Sequence, residues 1–463
     1  MFIDAFLRIF RSRGDDEAIV YRDRSYSYAW MLDELNNALA LIDNSPAITP
    51  GSVVALDADY SPRALAYFLA LVERGCIIVP ITETFRAKKA EFYEIAEVGA
   101  ELRLDHDSAD NDSADSNDTS EANVTITPLD NSVSHEITLK LKQANHPGII
   151  IFSSGSTGKS KAAVHDCTLL MKKYETPRKP KRTVPFMLFD HIGGINTVLH
   201  TFSSGGTIIV LGDRTPVSVC RAIETHRVEV LPTSPTFLNL LLISGEHENY
   251  DLSSLEVLAY GAEPMPETTL KRLHKALPGV DLMQNYGLSE VGIMQTKSES
   301  SDSLWVKVGG DGYEFRVRDG ILEIKSSSAM LGYLNAPNPF TEDGWFITGD
   351  MVEVKGDYIK ILGRDTEIIN VGGEKVYPAE VEGIIADMPG VLDVAVTSES
   401  HAITGNIVKA VVRLSTDESR ATFRKRMAAF LADKLPTYKI PQKVALTEQE
   451  MHSDRFKKMR RNL

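Results

Sequence analysis

Ten consecutive residues, Phe152-Ser153-Ser154-Gly155-Ser156-Thr157-Gly158-Lys159-Ser160-Lys161, bring together five hydroxyls, two glycines and two lysines. That mixture suits one task above others, which is holding phosphate. Glycines let backbone N–H groups approach an anion closely, hydroxyls add donors, and lysine supplies charge. The end of the run, Gly158-Lys159-Ser160, matches a Walker A loop, but GxxxxGK[ST] requires glycine where Ser153 stands. A plain Ser/Gly turn between a strand and a helix is the bland alternative. Three further stretches could do chemistry. Residues 105–122 hold seven acids and repeat Asp-Ser-Ala-Asp. Alternating Asp suits calcium, yet the sixth-position Gly and twelfth-position Glu of a calcium loop are missing, and the composition predicts a flexible surface excursion. Lys172 to Arg182 carries six basic residues in eleven, either a phosphate contact or a solvated face. Arg455 to Arg461 is a basic terminus that on its own reads as a solvated tail.

Such groups act only if a scaffold positions them, and 463 residues at ~100–200 per domain give two to four folding units. Hydrophobic content of 43% with 25% charged residues is that of an ordinary globular protein. The formal charge of −14 argues against nucleic acid as a partner, because phosphate backbones need a basic face. Cys76, Cys167 and Cys220 form no CxxC pair, which excludes a zinc ribbon or disulfide framework and fits a reducing, cytoplasmic location. No apolar run reaches the ~18–20 residues of a membrane span, and the start lacks a signal-peptide pattern. It reads instead as an amphipathic helix with Phe2, Ala5, Phe6, Ile9 and Phe10 on one face. Helical and strand-like segments then alternate (PRALAYFLALVERGC, IIVPI, PGIIIF, GGTIIVL, VEVLPTS), which predicts an α/β fold with helix-flanked sheets. Residues 305–362 change to short hairpins with Gly/Asp turns, a small β-barrel-like subdomain. From Gly363 onward the order reads strand, helix, strand, strand, helix, an α+β domain of net charge +2. The expected division is therefore 1–362 and 363–463.

In this setting the phosphate loop resembles that of the adenylate-forming superfamily, [YF]-[ST]-S-G-[ST]-T-G-x-P-K-G, with Ser160 and Ala162 in place of its Pro and last Gly. Five further segments resemble the family's motifs in the same order: Tyr260-Gly261-Ala262-Glu263-Pro264, Asn285-Tyr286-Gly287-Leu288-Ser289-Glu290, Trp345 to Asp350, Gly363-Arg364 with Ile368 to Glu382, and Lys457 to Arg461. Phe456 stands where that last motif has Gly.

The resemblance implies joining of a carboxylate to the α-phosphate of ATP, release of pyrophosphate, and transfer of the acyl group to a thiol. It implies that Ser153, Ser154, Gly155, Ser156, Thr157, Gly158 and Lys161 hold phosphates, that Glu290 binds Mg²⁺, and that Ser289 supplies a hydroxyl. Gly261, Ala262, Glu263, Asn285, Tyr286 and Gly287 line the adenine, Asp350 and Arg364 the ribose, and Lys457 bridges the α-phosphate and the acid. The small C-terminal domain, by the same resemblance, is mobile about Arg364-Asp365-Thr366 and presents Gly372 and Gly373 to a pantetheine tunnel. Phe189-Asp190 mimics the pair that binds an amino group in amino-acid-activating relatives. The spacing from His191 to Gly205-Gly206 instead fits the acyl-CoA branch, so His191 and Gly193 are read as acyl-pocket residues for a fatty or aryl acid. A core histidine is the plain alternative for His191. The expected acceptor is coenzyme A, with the phosphopantetheine of an acyl carrier protein the near alternative. A stand-alone amino-acid adenylation enzyme, an oxygenase of luciferase type and a nucleotide-binding regulator without catalysis complete the alternatives.

Overall fold

The computed structural model describes residues 2–104, 123–154, 160–310, 312–453 and 455–460. The expected excursion at 105–122 lies outside the described residues. The chain forms two compact units: Met1–Gly212 with Leu288–Ile293 and Ser326–Pro339, and the remainder.

The first unit is organised by a seven-stranded sheet in the order Gly332–Tyr333, Ser160–Asp166, Gly148–Ser154, Ile77–Ile81, Val53–Asp57, Ala100–Leu104, Val124–Pro128. The four central strands run parallel and an antiparallel strand closes each side. Alternate residues of the central strands enter different cores. Val54, Leu56, Ile78, Ile149 and Ile151 pack into one, with the helices Asp4–Arg13, Tyr28–Asp43, Pro62–Glu73 and Ile192–Ser203. Val53, Ala55, Ile77, Val79, Ile150 and Phe152 pack into the other, with Phe92 and Tyr93. Because both faces are buried, these strands read as unbroken apolar runs rather than alternating ones. The strands Arg24–Ser27, Glu17–Tyr21, Thr207–Val210 and Arg182–Thr183 pair side by side, parallel except for the first. In the first helix Phe6, Leu7 and Phe10 are the buried residues, so Leu7 rather than Ala5 completes its apolar face.

In the second unit, Val230–Thr233, Val257–Tyr260 and Asp281–Gln284 form parallel neighbours. The hairpins expected over 305–362 are present in a six-stranded sheet, antiparallel wherever its register is defined, that includes Phe346–Lys355 and Tyr358–Arg364. The C-terminal stretch departs from the expected order in two places. Ile369–Val371 and Glu374–Val376 form a hairpin before the helix Pro378–Ala386, and a final strand Lys443–Leu446 runs parallel to Gly405–Leu414. The first was hidden by its shortness, the second by its length of four residues amid charged neighbours. Val394, Val396, Val408, Ala410 and Val412 close this core against Phe423, Met427 and Leu431.

Among the described residues no helix is long and apolar enough to cross a membrane. All three cysteines are buried and free, and burial pushes the thiols of Cys76 and Cys220 up to about 12. The strand carrying the phosphate loop is braced by Phe92, whose ring stacks on that of Phe152 at 3.8 Å and 2°. Replacing it (Phe92→Ala) is expected to cost ~3–5 kcal/mol, seen as a lower urea midpoint with an unchanged slope.

Candidate functional site

The phosphate loop joins two antiparallel strands, with Ser153 opposite Lys161 and Ser154 opposite Ser160. A Walker A loop runs from a strand into a helix, so the Gly158-Lys159-Ser160 match is a decoy here. Gly155, Ser156, Thr157, Gly158 and Lys159 lie outside the described residues. Lys161 places its ammonium 5.1 Å from the Tyr333 ring centroid, and the Tyr333 hydroxyl donates to a carboxylate oxygen of Glu290. Asn335 clips the returning strand, accepting from the Ala162 N–H (3.0 Å) and donating to the Ser160 carbonyl (2.8 Å). Buried His165 donates from Nε2 to the Ser289 carbonyl at 2.6 Å, and the Met330 N–H donates to the Glu290 carbonyl at 2.7 Å. The segment carrying Ser289 and Glu290 is thus fixed to the strand that carries Lys161. His165, Tyr333 and Asn335 escaped the sequence reading, because each is an ordinary residue whose partner lies more than 40 positions away.

Among the described residues no group of three or more His, Cys, Asp or Glu side chains could enclose a metal ion. One carboxylate suits a hard cation that takes its remaining ligands from phosphate and water, so Glu290 fits Mg²⁺ bound in company with a nucleotide.

A second cluster lies in the other unit. Tyr286 is buried and its hydroxyl donates to Asp350, which also pairs with Arg364 Nε at 2.7 Å. Asp350 and Arg364 face each other across paired strands, and Arg364 donates to the Thr348 carbonyl at 3.0 Å. Burial raises the Tyr286 hydroxyl well above its ordinary value, with the Asp350 charge adding to the effect, so it remains a donor. Asn285 donates its N–H to Tyr260 at 2.7 Å, and a Cβ at Gly261 would lie 2.7 Å from the Asn285 carbonyl. Glycine at 261 is therefore required by strand–strand approach alone. Ala262 holds φ +71°, and Gly287 begins a short strand.

Glu263 accepts from the Thr236 N–H (2.7 Å) and the Lys458 N–H (3.0 Å), tying the start of the helix Pro235–Ser244 to the C-terminal segment. That segment is no solvated tail. Lys458 pairs with Asp393, and Arg460 makes a fork to Glu382 (2.8 and 2.7 Å) and reaches Glu367 at 2.9 Å. Burial pushes the Glu382 carboxyl up, but Arg460 outweighs it and holds the group below its usual range. Lys457 is half-buried between Phe456 and Lys458, and its carbonyl accepts from the Ser453 N–H.

Phe456 has φ +51°, the left-handed region that costs a side-chain-bearing residue roughly 1–2 kcal/mol. A backbone of this kind favours glycine, the residue that the motif resembled here carries. The phenyl ring offsets the strain by packing. It meets Phe237 edge-on at 5.6 Å, stacks on His452 at 5.4 Å and lies under Arg214 at 5.2 Å, while its carbonyl accepts from Ser234 at 2.7 Å.

His191 caps the helix Ile192–Ser203, its Nδ1 accepting the Gly193 N–H at 3.0 Å, and is buried. Asp190 is buried and accepts from Thr82 at 2.8 Å. Gly372 and Gly373, at φ +61° and +96°, form the two-residue turn of the hairpin Ile369–Val371/Glu374–Val376, which needs positive φ at both places.

A family model for AMP-binding enzymes matches residues 6–320, and one for the AMP-binding enzyme C-terminal domain matches 380–457. The chain belongs to the AMP-binding, adenylate-forming enzymes. It is 29% identical over 331 residues to an indoleacetate–CoA ligase of Aromatoleum aromaticum, spanning 65% of this chain but only 64% of that protein. It is 26% identical over 464 residues to the long-chain-fatty-acid–CoA ligase FadD13 of Mycobacterium tuberculosis, spanning 92% and 90%. The fold is similar to that of o-succinylbenzoate CoA synthetase (MenE) from Bacillus subtilis in complex with its acyl-adenylate. The TM-score is 0.77 at 18% identity, over 99% and 97% of the chains.

Two expected outcomes follow from this geometry. Burial lowers His165 to about 4, below its ordinary 6.5. The unfolded chain therefore binds the extra proton first, so the stability from a neutral His165 is full above pH 6.5 and lost as pH falls towards about 4. The difference in urea midpoint between wild type and His165→Gln should shrink over that window. At Phe456, the alanine variant keeps the strained backbone without the ring, whereas glycine relieves the strain. Tryptic cleavage after Lys457 and Lys458 should rise ~5–30-fold in Phe456→Ala, the effect of 1–2 kcal/mol, and less in Phe456→Gly.

Proposed function

We propose that this chain is an ATP- and Mg²⁺-dependent acid–thiol ligase that activates a carboxylic acid as its acyl-adenylate and transfers it to coenzyme A. The observation that carries the reading is the family membership, together with lysines and acids at every motif position with charge to manage: Lys161, Glu290, Asp350 and Lys457. Relatives named as CoA ligases for indoleacetate and long-chain fatty acids support an aryl or fatty acid and coenzyme A as acceptor.

In the first half-reaction a carboxylate oxygen bonds to the α-phosphorus and the bond to the bridging oxygen breaks, releasing pyrophosphate. Two anions must meet, so charge has to be neutralised beforehand. Ser153, Ser154 and the loop Gly155, Ser156, Thr157 and Gly158 supply donors, and Lys161 supplies charge. Mg²⁺ held by Glu290 would neutralise phosphate oxygens, and Tyr333 fixes the orientation of that carboxylate. In this reading Asp350 accepts from the ribose hydroxyls, with its own position set by Arg364 and Tyr286. Lys457 contacts the carboxylate and the α-phosphate. In the second half-reaction the thiol sulfur bonds to the acyl carbon, the carbon–oxygen bond to AMP breaks, and the thiol proton is released. A large domain 1–362, a mobile domain 363–463 rotating near Arg364-Asp365-Thr366, and Gly372 and Gly373 beside the pantetheine arm belong to the same reading, as does a cytoplasmic site of action. Retention of all four charged residues disfavours a regulator that has lost catalysis.

Acid-dependent exchange of labelled pyrophosphate into ATP across a panel of acids tests the adenylation step. Exchange with at least one acid is expected, and silence with all of them sinks the proposal. Coenzyme A and a carrier protein added in turn to the productive acid separate the two acceptors. Lys457→Ala should lower exchange by ~10²–10³, the cost of one preorganised donor, while leaving transfer from preformed acyl-adenylate intact.

A further inference from the structure

Of the six basic residues between Lys172 and Arg182, Lys173 turns inward. Its ammonium donates to the Asn196 side-chain carbonyl, lies 3.5 Å from the Ile293 carbonyl and sits 5.0 Å from the Tyr174 ring centroid. Every one of these partners is neutral. Tyr174 donates to the same Asn196 oxygen at 3.1 Å, and the His200 ring stands edge-on to Tyr174 at 4.8 Å. Arg178 adds further positive charge to this corner, and burial holds Lys173 down at about 7. A cation half-withdrawn from water among neutral groups is ordinarily matched by an acid. Among the described residues the structure supplies hydrogen-bond acceptors here but no carboxylate partner for Lys173.

The corner shares a helix with His191, read above as an acyl-pocket residue. Asn196 follows His191 by five residues, ~7.5 Å along the helix Ile192–Ser203. Ile293 follows Glu290 by three residues, at most ~11 Å of chain. Lys173 therefore lies within a small molecule's length of Glu290. Asn196 and His200 are one helical turn apart, while Ile195, Val198, Leu199 and Phe202 face the hydrophobic core. The polar stripe of this helix is thus the side that meets Lys173.

Resting on the adenylation reading, we propose that Lys173, oriented by Asn196, is a specificity-determining residue that pairs with a second carboxylate at the far end of the acid. The substrate class narrows from a fatty or aryl acid to one that carries a second carboxylate, activated at one end.

The experiment measures pyrophosphate exchange with aliphatic and aromatic dicarboxylic acids and with monocarboxylic acids of matched length, in wild type, Lys173→Met and Lys173→Gln. Wild type should favour the dicarboxylic series. Each variant should lose ~10–150-fold in kcat/KM for that series, the worth of one charged hydrogen bond, and stay within ~3-fold of wild type for the monocarboxylic series. Thermal melting of each variant reports folding separately. A wild type that prefers monocarboxylic acids overturns the inference without any variant. So does an equal loss in both series, and in either case the adenylation reading stands. Absence of exchange with every acid overturns both.

Discussion

Burial of both faces of the central strands in the first unit is the constraint from which the proposed phosphate site follows. Val54 and Leu56 enter one core while Val53 and Ala55 enter another, and the same division runs through Ile77–Ile81 and Gly148–Ser154. A strand packed above and below has no freedom to tilt or slide, so the place where its chain leaves the sheet is fixed. Phe152 is anchored in one of those cores, and the phosphate loop begins one residue later. The returning strand Ser160–Asp166 then carries both Lys161 and His165, and His165 holds the carbonyl next to Glu290. One rigid sheet thereby spaces a cation and a carboxylate that lie more than 120 residues apart in sequence.

Charge is handled by pairing at short range, not by the total. Half of the net −14 is carried by residues 105–122, a stretch of sequence that holds none of the motifs. The basic terminus is absorbed by Glu263, Asp393, Glu382 and Glu367. These contacts hold the backbone on either side of Lys457, since Phe456 is gripped by Ser234 and Phe237 and Lys458 by Glu263. A segment that composition alone would assign to solvent becomes a clamp.

The sequence made the fold class legible because periodicity reports burial directly. Long apolar runs such as Gly148 to Phe152 have few alternatives to a central strand. Motif residues were legible because the family's pattern holds residue type at fixed spacing. Their supports were not. Tyr333 and Asn335 are unremarkable in sequence, and only tertiary contact gives them meaning. Gly261 shows the converse, a residue legible by motif whose immediate cause is a backbone contact with Asn285. Phe456 was visible only as a departure from pattern, and its positive φ is set by the folded chain around it. Lys173 was averaged into a charged run because charge runs are read by composition, whereas a single inward side chain is decided by its neighbours.

The state of the cysteines bears on self-damage. An acyl-adenylate is a mixed anhydride that acylates any thiolate within reach, so an enzyme that makes one for delivery to an external thiol must keep its own sulfur silent. Cys76, Cys167 and Cys220 are all buried, and burial raises each of them so that the thiol form persists at neutral pH. Under the proposed function, seclusion of these three side chains would double as chemical insulation, leaving an acceptor thiol without a competing cysteine.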